Sequence, residues 1–136
     1  MRSLIRSALF ALPLLALHGS VSAAPAIEVL GKDYTFPHKL GGLPAKLSDF
    51  QDLQINTFTT GDGVKLSYWE AGSGTPLVFI PGWSANGAEY INVLYLLSKH
   101  YHVYVLDPRN QGLSPHADYG SRITRFSADL KEFSEH

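Results

Sequence analysis

Leu77-Val78-Phe79-Ile80-Pro81-Gly82-Trp83-Ser84 carries four apolar residues straight into a proline–glycine break. So short and continuous an apolar run suits a strand covered on both faces, as in a parallel sheet. Val103-Tyr104-Val105-Leu106 repeats the pattern and ends at Asp107. Between the two runs the spacing predicts a helix over residues 87–99. Asn86 is placed to cap it, with Glu89 three residues on as in a capping box, and Ala88, Ile91, Leu94, Tyr95 and Ser98 share one face. A polar turn over residues 108–115 leads into a second amphipathic helix, expected over residues 123–135 with Phe126, Leu130 and Phe133 inward. Strand, helix, strand, helix implies an α/β fold with a mostly parallel sheet and crossover helices.

Upstream, the period changes. Residues 55–60 are rich in β-branched side chains, and Val64, Leu66 and Tyr68 alternate with Lys65, Ser67 and Trp69. Asp62-Gly63 between them predicts a type I′ turn with both central residues at positive φ, hence an antiparallel hairpin on the N-terminal side of the sheet. Gly72-Ser73-Gly74 precedes a strand and lacks a third glycine, so it is a turn and not a dinucleotide fingerprint.

The remaining N-terminal sequence divides in two. Arg2 and Arg6 precede a ten-residue apolar run over residues 8–17; His18, Gly19 and Ser20 break it, and Val21-Ser22-Ala23 supplies small residues. Residues 1–23 therefore read as a secretory signal peptide, cleaved after Ala23 or Ala24. Ten apolar residues fall short of the ~20 that span a bilayer, so no stable membrane anchor is expected. The arginines are not adjacent, which points to Sec-type export to the periplasm or beyond rather than a twin-arginine route. Residues 24–53, with Pro25, Pro37, Pro44 and Gly41-Gly42, read as an extension that drapes over the core or leads into it.

Composition excludes several classes. The formal net charge is −1 with acids and bases scattered, so the basic stripe of a nucleic-acid binder is missing. The absence of cysteine excludes disulfides, thiolate metal sites and a cysteine nucleophile. His100-Tyr101-His102 offers two imidazoles where a zinc site needs at least a third protein ligand, and reads as a surface flank of a strand.

From residue 55 to residue 136 the chain resembles the α/β-hydrolase family. Phe79-Ile80-Pro81-Gly82-Trp83-Ser84 is similar to the family's His-Gly loop after its third strand. Asp107-Pro108-Arg109-Asn110-Gln111-Gly112-Leu113-Ser114 is similar to its Asp-x-Arg-Gly-x-Gly-x-Ser turn after the fourth. Their order, the hairpin upstream and Asp129-Leu130 in the following helix agree with the resemblance. It implies hydrolysis of a small-molecule ester or related acyl substrate by a Ser-His-acid triad, with no cofactor and no metal. It further implies that the first oxyanion donor is the backbone N–H of Trp83, with Gly82 leaving room for substrate beside the main chain. Proline stands at position 81 where the family generally has histidine, and stiffens the loop without removing that donor. Asn110 replaces a family glycine, and asparagine tolerates the left-handed region the turn needs. Arg109 and Ser114 are expected to bond nearby backbone.

The resemblance leaves alternatives. Gly82-Trp83-Ser84-Ala85-Asn86 nearly spells the elbow G-x-S-x-G, which would make Ser84 the nucleophile, but Asn86 replaces the last glycine. Asp107 ends a strand as catalytic groups often do, although the family draws its acid from later in the chain. The nucleophile, acid and histidine segments are not in this sequence. The chain is therefore expected to be an N-terminal fragment, with a partial domain over residues 54–136, inactive alone, and with the strand at Val103 on an open sheet edge. A non-catalytic binding protein on the same fold, or a truncated product without function of its own, are the alternatives, and the sequence sets no oligomeric state.

Overall fold

The computed structural model describes residues 23–36 and 41–136. Except for Ala23, the signal-peptide reading lies outside the described residues. Five strands form one sheet: β1 (Ala24–Pro25), β2 (Gln54–Thr59), β3 (Lys65–Gly72), β4 (Pro76–Phe79) and β5 (His102–Leu106), in the order β1-β2-β3-β5-β4. Among the described residues three α-helices accompany them: α1 (Ala26–Leu30), α2 (Ile91–Leu97) and α3 (Ile123–Ser134).

The hairpin lies where the alternation placed it, with β2 and β3 antiparallel from Gln54↔Glu70 to Thr59↔Lys65. Its turn differs from expectation. Gly63 alone takes positive φ, at 84°, and its N–H donates to Thr60 O at 2.8 Å. That is the three-residue loop with a glycine bulge, not type I′. Asp62 is released from a strained backbone, and its carboxylate meets Thr60 and Arg109.

The sheet is mixed, whereas the apolar runs suggested a mostly parallel one. Among the described strands only β4 and β5 pair in parallel; β1–β2, β2–β3 and β3–β5 are antiparallel. The reason is topological. A parallel neighbour needs a crossover, and the one between described strands is the α2 connection from β4 to β5. The edge assignment is corrected as well. β5 is interior, laddered to β3 on one side and β4 on the other, with Val103 and Val105 fully buried. β4 takes the outer position. Its first residue is Pro76, suited to an edge because it donates nothing to a ladder, and Val78 and the following Ile80 remain 38% and 42% exposed.

Two cores sandwich the sheet. On one face Ile55, Trp69, Ala71, Val103 and Val105 pack against Ile91 and Leu94 of α2 and against Leu47, Phe50 and Leu53. The last three come from residues 24–53, which also supply β1 and α1. That stretch therefore contributes interior side chains, each worth about 1.5–3 kcal/mol when fully buried. On the other face Phe58, Leu66, Tyr68 and Leu106 meet Phe133 of α3.

Asn86 does cap the helix after β4, its side chain accepting the Ala88 N–H at 3.0 Å. The first turn is a 3-10 helix, Gly87–Tyr90, so the 3.6-residue phase starts only at Ile91. Ile91 and Leu94 are accordingly buried while Ala88 is exposed. In α3 Phe133 is buried and Phe126 and Leu130 are half-buried, but the same inward face also buries Asp129.

Candidate functional site

β4 and β5, being parallel, release their following loops at the same end of the sheet. After β5, Asp107 is fully buried. Its carboxylate accepts from Trp69 Nε1 (3.1 Å), Gly87 N (2.6 Å) and Leu113 N (2.8 Å), and its carbonyl accepts from Ser114 Oγ (2.7 Å). Ser114 Oγ in turn accepts the Ser67 N–H at 2.9 Å. Gly112, at φ 56°, presses so closely that a Cβ there would lie 2.4 Å from Asp107 Oδ2. Asn110 sits at φ 65° as its residue type allows, held by Ala117 N–H on its Oδ1 (2.6 Å) and by its own Nδ2 on Ser121 Oγ (2.8 Å). Asp107 is thus a tie between strand, helix and turn, with both carboxylate oxygens committed.

Arg109 is fully buried and bonds side chains, not the nearby backbone expected of it. Its Nε and Nη2 donate to the two Asp129 oxygens at 3.0 and 2.8 Å, and Nη2 also reaches Asp62 Oδ1 at 3.0 Å. Burial pushes the Asp62 carboxyl up, but the hydrogen bonds from Arg109 and Thr60 and the charges of Arg109 and Arg125 together outweigh it and hold the group at about 2. The Asp129 hydrogen bond drives the Arg109 guanidinium further into its charged form. Asp129 and Asp62 as counter-charges went unread in the sequence. A signal existed for Asp129, which stands three residues after Phe126 and four before Phe133 and therefore shares their inward face.

The loop after β4 is built differently. Pro81 is buried, Gly82 is exposed and the Trp83 side chain is 72% exposed, its ring 6.2 Å from that of Phe126. Ala85 N–H donates to Gly82 O at 3.1 Å and Ser84 has φ 67°. This is a type II pattern with serine at the position that normally takes glycine. Among the described residues, neither Trp83 N–H nor Ser84 N–H finds a protein acceptor. Trp83 borders a cavity of about 310 Å³ walled by Ile80, Pro81, Leu106, Phe126 and Leu130. A second cavity, about 380 Å³, shares Trp83, Gln111 and Phe126 with the first and adds Ser84 and Asn110. Among the described residues no histidine lines either one, and none therefore stands beside Ser84 as a base there.

Of the described histidines, His102 lies in a polar cluster of its own. His102 Nε2 is 2.8 Å from Glu70 Oε2 and its Nδ1 is 2.9 Å from Tyr104 OH, while Asn56 holds the other Glu70 oxygen. Burial first, and then Glu70, raises the Tyr104 phenol, and burial pushes Tyr68 up to about 12, so both stay protonated donors. Among the described residues no three or more metal-ligating side chains gather.

A family model described as alpha/beta hydrolase fold matches residues 75–136, both loops included. The described residues form an N-terminal portion of an alpha/beta hydrolase fold. A non-heme haloperoxidase of Rhodococcus erythropolis is similar in sequence, 29% identical over 79 residues, or 57% of this chain and 29% of the relative. Among solved structures, the epoxide hydrolase CorEH is similar at 28% identity and a TM-score of 0.58, over 62% of this chain and 29% of that one. E-2-(acetamidomethylene)succinate hydrolase is similar at 23% identity and a TM-score of 0.53, over 60% and 31%. The chain spans less than a third of the length of each of these relatives.

Proposed function

We propose that this chain supplies the oxyanion side of a hydrolase active site that acts on a small-molecule ester or related acyl group. The nucleophile, histidine and acid of that site would come from sequence beyond residue 136. The observation that carries the reading is the pair of unclaimed backbone donors, Trp83 N–H and Ser84 N–H, at the carboxyl end of β4, where Trp83 borders the apolar cavity and both residues border the second one. Preorganised N–H groups there stabilise the charge that develops on a carbonyl oxygen. Gly82 presents no side chain, and nothing lies within 4 Å of where its Cβ would be, so a substrate has access to the backbone.

The turn geometry makes the test direct. Trp83 occupies the second position of the turn, where proline is favoured, so Trp83→Pro removes the N–H while suiting the turn. In a protein that joins this chain to a complete triad, loss of one such donor lowers kcat by about 10²–10³. Trp83→Ala keeps the donor and alters only the cavity wall, so kcat stays near wild type. Equal losses in the two variants refute the oxyanion role.

The same reading places the mature protein outside the cytoplasm, supported by Arg2, Arg6, the apolar run and Val21-Ser22-Ala23. N-terminal sequencing from an exporting host is expected to begin at Ala24 or Pro25. A product retaining Met1 refutes export.

A further inference from the structure

Asn86-Gly87 is the one asparagine–glycine pair in the chain; the other asparagines, Asn56, Asn92 and Asn110, precede threonine, valine and glutamine. Glycine on the carboxyl side leaves its own nitrogen unshielded, and that nitrogen is the nucleophile of spontaneous deamidation. It attacks the asparagine Cγ and a five-membered imide closes. Ammonia leaves, carrying off the proton. Water then opens the ring at either carbonyl, giving aspartate or the isoaspartate whose backbone runs through the former side chain. Water enters and ammonia departs; no oxidant or cofactor takes part.

The fold holds each participant away from this path. The nucleophile, Gly87 N, donates to Asp107 Oδ1 at 2.6 Å in a buried bond, and a carboxylate there opposes loss of the amide proton. The electrophile is fixed too, for Asn86 Oδ1 accepts from Ala88 N at 3.0 Å and Nδ2 is 3.4 Å from Glu89 Oε1. Ring closure also needs Gly87 to shift. Gly87 is wedged under an indole, where a Cβ would stand 2.0 Å from Trp69 Cδ1. Asn86 itself is partly exposed, so water reaches it.

We propose that Asn86 is a latent deamidation site of this protein, latched shut by Asp107. Modification then proceeds only through states in which the Gly87–Asp107 bond has opened, at a rate set by their population. The site lies two residues beyond Ser84, and an isoaspartate inserts an extra main-chain carbon between the exposed loop and α2. Asp62-Gly63, the one aspartate–glycine pair, is held in the same manner. Its glycine N–H is on Thr60 O at 2.8 Å and its carboxylate is on Arg109. Residues 107–109 thus restrain both chemically fragile bonds.

The test incubates the native chain at mildly alkaline pH beside a peptide of residues 83–89, and follows conversion of Asn86 by peptide mass spectrometry. The native chain is expected to react at least ~10-fold more slowly, the factor that about 1.4 kcal/mol of local opening supplies. Asp107→Ala is expected to recover most of that factor. Because this variant loses three hydrogen bonds and can unfold, sub-denaturing urea on the wild-type chain provides a second arm, with hydrogen exchange of the Gly87 amide read on the same samples. Conversion that rises in proportion to Gly87 exchange supports the latch. Native conversion as fast as the peptide overturns it, and so does slow conversion that ignores both urea and Gly87 exchange.

Discussion

Two loops leave neighbouring parallel strands at the same end of the sheet, and each holds a non-glycine residue in the left-handed region. Around Asp107 most polar groups are matched, with Arg109 Nη1 and Gln111 Oε1 the buried exceptions. Asn110 bonds Ala117 and Ser121, Asp107 accepts three N–H groups on its carboxylate, and Arg109 is gripped by two carboxylates. Around Trp83 almost nothing is matched. Ser84 holds φ 67° with no hydrogen bond from its hydroxyl among the described residues, and two main-chain donors stand free. One loop uses its unusual backbone to hold the fold together; the other keeps its unusual backbone and leaves its donors available. Strain without local compensation marks a candidate functional site more sharply than strain with it.

The contrast breaks if the Asp107 turn proves dispensable. Arg109→Met strips the buried Asp129 of the guanidinium that spans both its oxygens and leaves it Arg125 on Oδ1 alone, which costs up to about 3–5 kcal/mol, read from urea unfolding against wild type. A variant within 1 kcal/mol of wild type by the same measurement, ~1 being the scale of an exposed pair, shows the network to be ornamental. Trp69→Phe removes one donor to the buried Asp107 carboxylate while keeping most of the ring. A loss of about 1.5–3 kcal/mol is expected.

Acid probes the same network from outside. Asp62 titrates in the folded chain at about 2, below its ordinary 3.8, so its contribution is complete above pH 3.8 and is lost as pH falls toward 2. Up to about 2 kcal/mol is at stake. Stability measured across that window should slope in wild type and flatten in Asp62→Asn. An unchanged slope would assign the acid sensitivity to other carboxylates, Asp33 and Glu132 among them.

The smallest effect sharpens the comparison most, because its sign reverses between the loops. Ser84→Gly relieves the left-handed backbone and breaks no hydrogen bond, so thermal unfolding should rise by an amount worth up to about 1 kcal/mol. Asn110→Gly relieves the same strain but forfeits two side-chain bonds, and stability should fall. Two changes of the same sign would dissolve the distinction.

Much of this was legible in the sequence wherever a single residue type dictates the outcome. Asparagine tolerates positive φ, so Asn110 announced its turn; Asn86 announced its cap; alternation announced the β2–β3 hairpin. Choices made between distant segments were not legible. Whether β5 would lie inside or outside β4 depends on which ladder edge is free when the chain returns, and both runs look equally apolar. The partners of Arg109 stand 20 and 47 positions away in sequence, so only the folded chain brings them together. Of the candidate site, Gly82 and Trp83 could be named from the resemblance. The left-handed Ser84 could not, since serine gives no local warning of it.

The strand order also has a consequence in time. β1, β2 and β3 can pair as soon as they are made, but β4 has β5 as its single described neighbour, and β5 lies some twenty residues further on. At ~5–20 residues per second of synthesis, β4 would wait roughly 1–5 s with no strand beside it. During the same interval the inner edge of β3 stays open, available to whatever extended segment arrives first. α2 is made within that interval, and its Ile91 and Leu94 give the waiting sheet an apolar cover before its last interior strand is delivered. The order in which the ribosome releases these segments is therefore not the order in which the sheet is filled, and β5 must be inserted between two strands that are both older than itself.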